Sequence, residues 1–371
     1  MRKNILISTT RQWNPGDEFI MLGALNVLDE LLGDNYNPII FNRNPDIRGG
    51  ASFRNCTRKY EFSYKWDSTS FRGKGGLHEL LRIGHYDNSW KDDMNPDNID
   101  IALFAGSPEW YGNRLRPMFR TIDKNNIPAI FLGLGAGDSM DFKYSAPEVH
   151  RVLSNSKLIT TRDRATEALL REYDAIYVPC PAILAAKKIR VVDGVEKIGL
   201  IYATDRTLKG NNVSEEMHEY ILKIYPELMK RYSCGLVCHY IDELDQARKD
   251  FPDADLFYSY DAKDYEKIYN QFDIVVGGRV HGIGMSASLG IPGVMIKHDI
   301  RSSTTDGFLA EAVLVGADIQ EIIGLVDTYR SKIEYYSNRL IEHKQKVKEQ
   351  YLQLFREKIG DVLQLPQLST E

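Results

Sequence analysis

Short apolar runs alternate with amphipathic stretches along most of this chain. The first apolar run, residues 4–8, has the length of a buried strand, and apolar residues then recur at helical spacing between residues 19 and 32. A second short apolar run follows at residues 38–41. Because strands that alternate with helices form parallel sheets covered by those helices, the opening of the chain predicts an α/β fold.

The same alternation continues through two successive units. The first resumes at residue 99 and ends with a strand predicted at residues 175–178, and the second begins with a strand predicted at residues 197–202. A basic, weakly periodic connection separates them, so we predict Rossmann-like domains at residues 1–188 and 189–316. Two such doubly wound sheets face each other across a cleft at the carboxyl ends of their strands.

The remaining residues, 317–371, are predicted to be helical. An apolar stripe runs from Ile333 to Leu354, within a helix predicted at about residues 331–358. A stripe of this kind must be buried against another part of the protein.

Residues 43–98 interrupt the alternation with a segment rich in arginine, lysine, asparagine and aromatic residues. Between residues 43 and 82 there are nine Lys or Arg and four Asp or Glu, although the whole chain is acidic. Two interpretations stay open: a solvated insertion with a short helix at residues 77–83, or a basic surface that attracts an anionic substrate.

Composition and charge exclude several classes of protein. The 371 residues include 47 Lys or Arg and 52 Asp or Glu, a net charge of −5, so we expect no nucleic-acid partner. There is no run of 18 apolar residues, and so we expect no integral membrane segment. The first residues do not resemble a secretory signal, and the four cysteines have no metal-ligand spacing. We therefore expect a cytoplasmic protein with reduced thiols and without a metal or cofactor.

The strongest chemical signal follows a predicted strand of the second domain. Gly277 and Gly278 let the backbone approach a ligand, and the free N–H groups at the start of the next helix, around Gly282, bind anions. Arg279 adds a cation whose planar fork fits a phosphate or a carboxylate, and His281 can exchange a proton near neutral pH. The structural alternative is a tight turn whose histidine caps its own helix.

Two turns of the first domain carry weaker signals. Arg162 follows a predicted strand and precedes Asp163 at a helix start. Asn14 stands before Asp17 and Glu18 at the first strand-to-helix turn. Both turns have an ordinary alternative, in which the side chains only cap the helix that follows.

Taken in order over residues 4–298, these segments resemble the polysaccharide pyruvyl transferase family. The family implies a fold like the two-domain glycosyltransferases of the GT-B type, in which the C-terminal helix returns to the first domain. It also implies transfer of a pyruvyl group from phosphoenolpyruvate onto a sugar, which forms a ketal. The matching segments are N-x-G-D-E (14–18), the glycine loop after the third strand, G-L-G-A-G (133–137), T-R-D (161–163), G-R-V-H-G (278–282) and L-G-I-P (289–292).

This reaction suggests a role for each candidate residue. Phosphoenolpyruvate has a phosphate and a carboxylate that two arginines could hold, and ketal formation needs an acid near the donor and a base near the acceptor hydroxyls. Aromatic rings offer flat faces on which sugar rings stack. We expect catalytic roles for His281, Asp17 and Glu18, donor binding by Arg279, Arg162, Gly278 and Gly282, and acceptor binding by Trp110, Tyr111 and Asn14.

The sequence departs from the family pattern at three places. Where the family commonly has Asp-Pro, this chain has Pro179, Cys180 and Pro181. The loop at residues 107–110 lacks a further glycine run, and the basic insertion at residues 43–98 is unusual. These departures bear on the acceptor and on whether the chemistry is still pyruvyl transfer.

Two other functions stay open at this point. One is a GT-B glycosyltransferase that uses a nucleotide-sugar, for which Glu311 is the only nearby carboxylate that could bind a ribose. The other is a non-catalytic saccharide-binding protein of the same fold. The expected partners of an enzyme are phosphoenolpyruvate and a saccharide or lipid-linked saccharide. The sequence leaves peripheral membrane association and homo-oligomerisation open.

Overall fold

The computed structural model describes residues 2–9, 14–42, 96–106, 115–136, 145–205, 213–241 and 243–365. Nearly all of the predicted insertion at residues 43–98, including its short helix, lies outside these residues. So do Trp110 and Tyr111.

The described residues form two parallel sheets of six strands each. The first has the order β2-β1-β3-β4-β5-β6 and the second the order β12-β11-β10-β7-β8-β9. The strands of the first sheet are β1 (Lys3–Thr9), β2 (Tyr36–Asn42), β3 (Ile101–Ala105), β4 (Ala129–Leu134), β5 (Leu158–Thr161) and β6 (Ile176–Tyr177). Those of the second are β7 (Lys197–Ile201), β8 (Ser233–Val237), β9 (Leu256–Phe257), β10 (Ile274–Gly277), β11 (Gly293–Lys297) and β12 (Glu311–Leu314).

Helices connect the strands and cover the sheets. Those of the first domain are α1 (Pro15–Leu32), α2 (Arg116–Lys124), α3 (Pro147–Ser154) and α4 (Arg164–Leu169). Those of the second domain are α5 (Glu215–Arg231), α6 (Glu243–Asp250), α7 (Tyr265–Tyr269) and α8 (Val280–Ser288), and α9 (Ile319–Ser331) and α10 (Ile333–Leu363) follow. The prediction of an α/β protein with two doubly wound sheets is confirmed.

The strand orders show where a ligand would bind. The order of the second sheet reverses between β7 and β10, and that of the first sheet reverses between β1 and β3. In open parallel sheets, ligands bind outside the carboxyl ends of the strands at such a reversal. The turns that follow β1 and β10 are therefore the natural places for a site.

Two apolar clusters stabilise the fold. One lies on a single face of the first sheet, where Phe104 stacks between Phe119 and Phe131 with ring centroids 5.0 and 4.5 Å away. The other takes the alternate residues of these strands, and so the opposite face, and continues through the interdomain connection into the second sheet. The two domains therefore share one continuous core.

Helix α1 and the connection between the domains are in close contact. A Cβ on Gly23 would lie 1.8 Å from the carbonyl oxygen of Pro181, so only glycine fits at this crossing. The side chain of Asn26 donates hydrogen bonds to the carbonyls of Leu184 and Ala185, at 2.7 and 3.0 Å. The predicted domain limit at residue 188 falls in this connection, between β6 and β7.

The C-terminal helix returns to the first domain, as the family resemblance implies. Tyr351 in α10 donates a hydrogen bond to the carbonyl of Pro179 at 3.0 Å, and Lys348 pairs with Glu30 of α1 at 2.9 Å. The predicted helix at residues 331–358 is α10, which begins at Ile333 and continues to Leu363. Within the described ranges, no helix combines the length and apolar composition that crossing a membrane requires.

Candidate active site

The first domain places Arg162 in a slot at the carboxyl edge of its sheet. Arg162 directly follows β5, and its side chain is buried with 3% exposed. A Cβ on Gly135, which follows β4, would lie 2.3 Å from Nε of Arg162, so this glycine makes room for the guanidinium. Asp163 caps α4 by accepting the backbone N–H of Thr166 at 2.8 Å. The capping alternative therefore describes Asp163, whereas Arg162 faces the second domain.

The second domain places His281 in the first turn of α8, directly after the glycine turn of β10. Its imidazole lies between residues of the first domain. Nε2 is 3.1 Å from Nη1 of Arg162 and 3.9 Å from Sγ of Cys180. A Cβ on Gly16, at the start of α1, would lie 2.8 Å from Nδ1. The structure thus joins the turns after β1, β5 and β10 around one imidazole.

The contact with Arg162 determines the protonation of His281. A guanidinium only donates hydrogen bonds, so Nε2 accepts and the proton of the neutral ring is on Nδ1. Burial, together with the charges of Arg162, Arg301 and the nearby His239, holds the pKa of His281 well below its usual value. At neutral pH, without a ligand, His281 is therefore uncharged.

Arg279 is oriented into the second domain. Its Nη2 donates to Oε1 of Glu243, and its guanidinium lies over the ring of Tyr240, 4.7 Å from the centroid. Glu243 is fully buried and also accepts the backbone N–H groups of His239 and Tyr240, at 2.8 and 3.0 Å. The charge of Arg279 is thus balanced by a buried carboxylate, which ties the turn after β10 to the turn after β8.

The two predicted donor-site glycines have packing roles. A Cβ on Gly278 would lie 2.3 Å from Cε of Met217, and one on Gly282 would lie 2.6 Å from both Cδ1 of Ile201 and the hydroxyl of Tyr269. These contacts draw α8 against the end of β7. They place its first turn at the reversal of strand order, where the N–H of Gly282 already donates to the carbonyl of Arg279 at 3.0 Å.

The first turn of α1 carries the remaining predicted residues. Asn14 caps the helix by accepting the backbone N–H of Gly16 at 3.0 Å. Asp17 and Glu18 are buried, with 7% and 1% exposed. Burial, with the charges of Asp17 and Asp163, raises the pKa of Cys180 to about 11 despite Arg162. Cys180 is therefore a neutral thiol, and the negative charge of Asp17 acts close to it.

The sequence analysis missed three polar residues beside this site. They are His298, Asp299 and Arg301, which directly follow the apolar strand β11. The sequence pattern here is the same as at Arg162, an apolar strand followed by charged residues. No glycine turn follows this strand, however, and the pattern was not recognised as part of a site. Within the described residues, no group of three His, Cys, Asp or Glu side chains is arranged to hold a metal ion.

Comparisons with known proteins cover the residues of this site and the fold of the chain. The model of the polysaccharide pyruvyl transferase family matches residues 14–300. A comparison with curated protein sequences finds no match. Among solved structures, UDP-GlcNAc 2-epimerase from Neisseria meningitidis bound to UDP-GlcNAc is similar, with a TM-score of 0.55 and 12% identity over 96% of this chain and 100% of that chain. A further UDP-N-acetylglucosamine 2-epimerase gives a TM-score of 0.53 and 13% identity over 100% of both chains. At these identities the likeness concerns the fold, which is of the GT-B type.

Proposed function

The chain belongs to the polysaccharide pyruvyl transferase family, and we propose that it transfers a pyruvyl group from phosphoenolpyruvate onto a sugar of a polysaccharide or its precursor. The observation that best supports this is the contact between Arg162 and His281 at 3.1 Å, between the two domains. It combines a permanent cation, suited to an anionic donor, with a group that can carry a proton.

The donor would bind at the start of α8, between the domains. Arg162 would hold its phosphate or carboxylate directly, and the backbone N–H groups of the turn from Gly278 to His281 would bind the other anionic group. Arg279 would fix this turn through its pair with Glu243. The donor would then take the place of His281 as the partner of Arg162.

The reaction balances with two acceptor hydroxyls. A proton is added to the methylene carbon of phosphoenolpyruvate, which makes the adjacent carbon electrophilic. One hydroxyl oxygen bonds to that carbon and loses its proton, and the bond from the carbon to the phosphate oxygen breaks. The second hydroxyl then closes the ketal, and its proton leaves with the phosphate. The net products are a cyclic ketal and inorganic phosphate.

We assign these proton transfers to three side chains. His281 would gain a proton once the anionic donor offsets the charge of Arg162, and it would then act as the acid. Asp17, or Glu18 next to it, would take a proton from an acceptor hydroxyl. The acceptor would lie against the first domain near Asn14. Trp110 and Tyr111 lie outside the described residues, and their contact with the acceptor stays a prediction from the sequence.

A nucleotide-sugar glycosyltransferase is the main alternative. The fold of the solved epimerases is compatible with it, but the carboxylate that the sequence offered for a ribose is poorly placed. Glu311 is the first residue of β12, so it lies at the amino edge of a parallel sheet. Ligands of such sheets bind at the opposite edge.

Phosphate release tests the proposal. Purified protein is incubated with phosphoenolpyruvate and a panel of saccharides and lipid-linked saccharides, and thermal unfolding is followed with phosphoenolpyruvate, UDP or GDP. We expect stabilisation by phosphoenolpyruvate and acceptor-dependent release of phosphate that His281→Ala abolishes. Stabilisation by UDP or GDP without phosphate release would support the glycosyltransferase instead. Stabilisation by a saccharide alone would support a binding protein.

A further inference from the structure

We propose that the cavity between helix α1, the connection between the domains and helix α10 is a binding site for an amphiphilic carboxylate, a ligand with one carboxylate and an apolar chain. This site is separate from the active site, and the inference goes beyond the proposed function without depending on it.

The cavity lies beside the C-terminal half of α1, away from the active site. Its volume of about 870 Å³ is large enough for a small organic ligand. Asn26 at the cavity is about 15 Å along α1 from Gly16, the residue against His281, because a helix rises about 1.5 Å per residue. A ligand here would contact both domains without reaching His281.

Lys344 of α10 lines the cavity and supplies a partly buried cation. Its Nζ donates to the carbonyls of Ala186 and Ser288, at 2.7 and 2.6 Å. An ammonium has three N–H groups, so one is left for a ligand. Both partners are backbone carbonyls, and no ion pair joins Lys344 to a carboxylate within the described part of the chain. A carboxylate ligand would supply the counter-charge that this ammonium lacks.

The other charged residues of the cavity are paired with one another or exposed. Lys187 pairs with Asp29 at 2.8 Å, and Lys348 pairs with Glu30 at 2.9 Å. The exposed ones are Glu342, Lys346 and Glu349. The lining thus offers a ligand one partly buried cation, Lys344, whose single charge matches a carboxylate better than a phosphate dianion.

Apolar side chains form much of the remaining lining. Val27 and Leu184 are buried, Ile341 is partly buried, and Ile189 is 53% exposed. Contact with an apolar chain would remove part of this surface from water, which is favourable. The cavity therefore combines one cation with apolar walls, and this is the complement of an amphiphilic carboxylate.

Protonation of Lys344 should control binding. Burial, as the largest cause, and the charge of Lys348 lower the pKa of Lys344 to about 8, against the opposite effect of Glu266 in α7. The ammonium is therefore mostly present at pH 7 and is lost as the pH rises through 8. Above pH 8 the affinity for a carboxylate should fall by up to about 10-fold per pH unit.

Titration calorimetry with octanoate tests the inference. Octanamide keeps the chain without the charge, and acetate keeps the charge without the chain. At pH 7 we expect the wild type to bind octanoate at least about 10-fold more tightly than either of them. If octanoate does not bind in the millimolar range, or if octanamide binds equally well, the inference is wrong.

Two variants each remove one part of the site. Lys344→Met should weaken the binding of octanoate by about 10- to 100-fold, the effect of a lost charged hydrogen bond. Ile189→Ser reduces the apolar wall and should weaken binding by about 5-fold. Because Ile189 is exposed, this variant should fold even if Lys344→Met does not, and melting temperatures of both variants show which are folded.

Lys358→Met and Val191→Ser are the matched controls. Lys358 is an exposed lysine of α10 and Val191 is 47% exposed in the connection, but both lie outside the cavity. Both variants should bind octanoate like the wild type. Arg162→Gln should do so as well, because the active site is separate.

Three outcomes would overturn the inference. Folded Lys344→Met that binds octanoate like the wild type would show that the ammonium is not the partner of the carboxylate. Loss of octanoate binding in Arg162→Gln would place the carboxylate in the active site. If Lys344→Met does not fold, an affinity that is constant between pH 7 and 9, or unchanged in Ile189→Ser, would also contradict the assignment.

Discussion

Nη1 of Arg162 in the first domain lies 3.1 Å from Nε2 of His281 in the second. These residues are far apart in the chain, but Arg162 directly follows β5 and His281 lies in the first turn of the helix after β10. The two sheets turn the corresponding edges toward each other. The pair makes the protonation of His281 depend on what occupies Arg162. An anion that engages Arg162 both frees Nε2 and offsets the charge that keeps the imidazole neutral.

Gly16→Ala should disturb this pair without disturbing the fold. The new Cβ would lie 2.8 Å from Nδ1 of His281, so the imidazole must shift by a few tenths of an ångström. Misplacement on this scale can cost a large factor in rate, and we expect kcat to fall by about 10-fold or more. Steady-state phosphate release measures this. In the His281→Ala background the same change should have a smaller effect, because the clashing ring is absent and only the contacts with Oδ1 of Asn14 at 3.0 Å and Cβ of residue 281 at 3.2 Å remain.

Gly324→Ala is the matched control for this change. Gly324 lies in α9, and a Cβ there has no atom within 4 Å. Alanine in a helix interior is favoured over glycine by about 1 kcal/mol, so this variant should be slightly more stable and fully active. Equal activity of Gly16→Ala and Gly324→Ala would remove the close approach of α1 to His281 from the mechanism.

Replacement of His281 should affect turnover more than donor binding. We expect His281→Ala to lower kcat by about 10²- to 10⁴-fold, the usual range for one acid–base group. Burial and nearby cations keep the pKa of His281 low in the free protein, and an anionic donor should raise it. Donor binding to the wild type should therefore take up protons at pH 7, and His281→Ala should take up fewer. Calorimetry in buffers with different ionisation enthalpies measures this difference, and identical values would contradict the acid role.

Arg279 and Arg162 should fail in different ways when they are replaced by alanine. Arg279→Ala leaves the buried Glu243 without its guanidinium partner, and breaking a buried pair costs about 3–5 kcal/mol of unfolding free energy. Arg162→Ala should mainly weaken donor binding, by about 1.5–3 kcal/mol. Urea unfolding and donor titration of both variants distinguish the two effects. Similar stability of both variants would show that the Arg279–Glu243 pair contributes little.

The sequence predicts those parts of the site that follow from a single strand-to-helix turn. Arg162 and His281 each stand after an apolar run, and the rule that parallel strands bind ligands at their carboxyl ends brings them to the same cleft. The pair of Arg279 with Glu243 could not be predicted in this way, because it joins turns that are 36 positions apart. The glycines could also be interpreted in two ways. Gly278 and Gly282 suggested a ligand site, but they also make room for Met217 and Ile201.

The sequence analysis also missed structure between β11 and α9. Strand β12 is a short edge strand in which only Val313 is buried. Its apolar run, residues 312–315, is only four residues long, and the sequence analysis assigned no strand to it. The 3₁₀ segment Ile300–Phe308, which carries Arg301, follows no helical or strand period. Its serine and threonine residues are typical of a loop, although several of them are buried. For this reason the sequence analysis did not identify Arg301.

Acid should destabilise the protein through its buried histidines. Burial, as the largest cause, lowers the pKa of His239, His281 and His298 in the folded protein from the ordinary value of 6.5. Below pH 6.5 the unfolded chain binds protons that the folded chain does not. The stabilisation is therefore complete above pH 6.5 and is lost as the pH falls, by up to about 1.4 kcal/mol per pH unit for each histidine.

Urea unfolding at pH 7.5, 6.5 and 5.5 measures this loss. His239 is the best single probe, because it is 2% exposed and its Nε2 lies 2.7 Å from the hydroxyl of Tyr269. His239→Gln should make the unfolding free energy depend less steeply on pH between pH 6.5 and 5.5. The difference should equal the contribution of one histidine. An unfolding free energy that is constant over this range would show that these imidazoles titrate normally.

The C-terminal helix should be required for a soluble protein, because it completes the core that both domains share. Val347, Tyr351, Phe355 and Ile359 recur every four residues along α10 and are buried. Truncation at about residue 328 would expose these contacts on the first domain, and we expect the product to be insoluble. Phe355→Ala is the milder test, because Phe355 is fully buried and its truncation should cost about 3–5 kcal/mol. The neighbouring Arg356 is exposed, so Arg356→Ala should change the unfolding free energy by less than about 0.5 kcal/mol. A soluble and active protein without α10 would show that the two domains hold together without this helix.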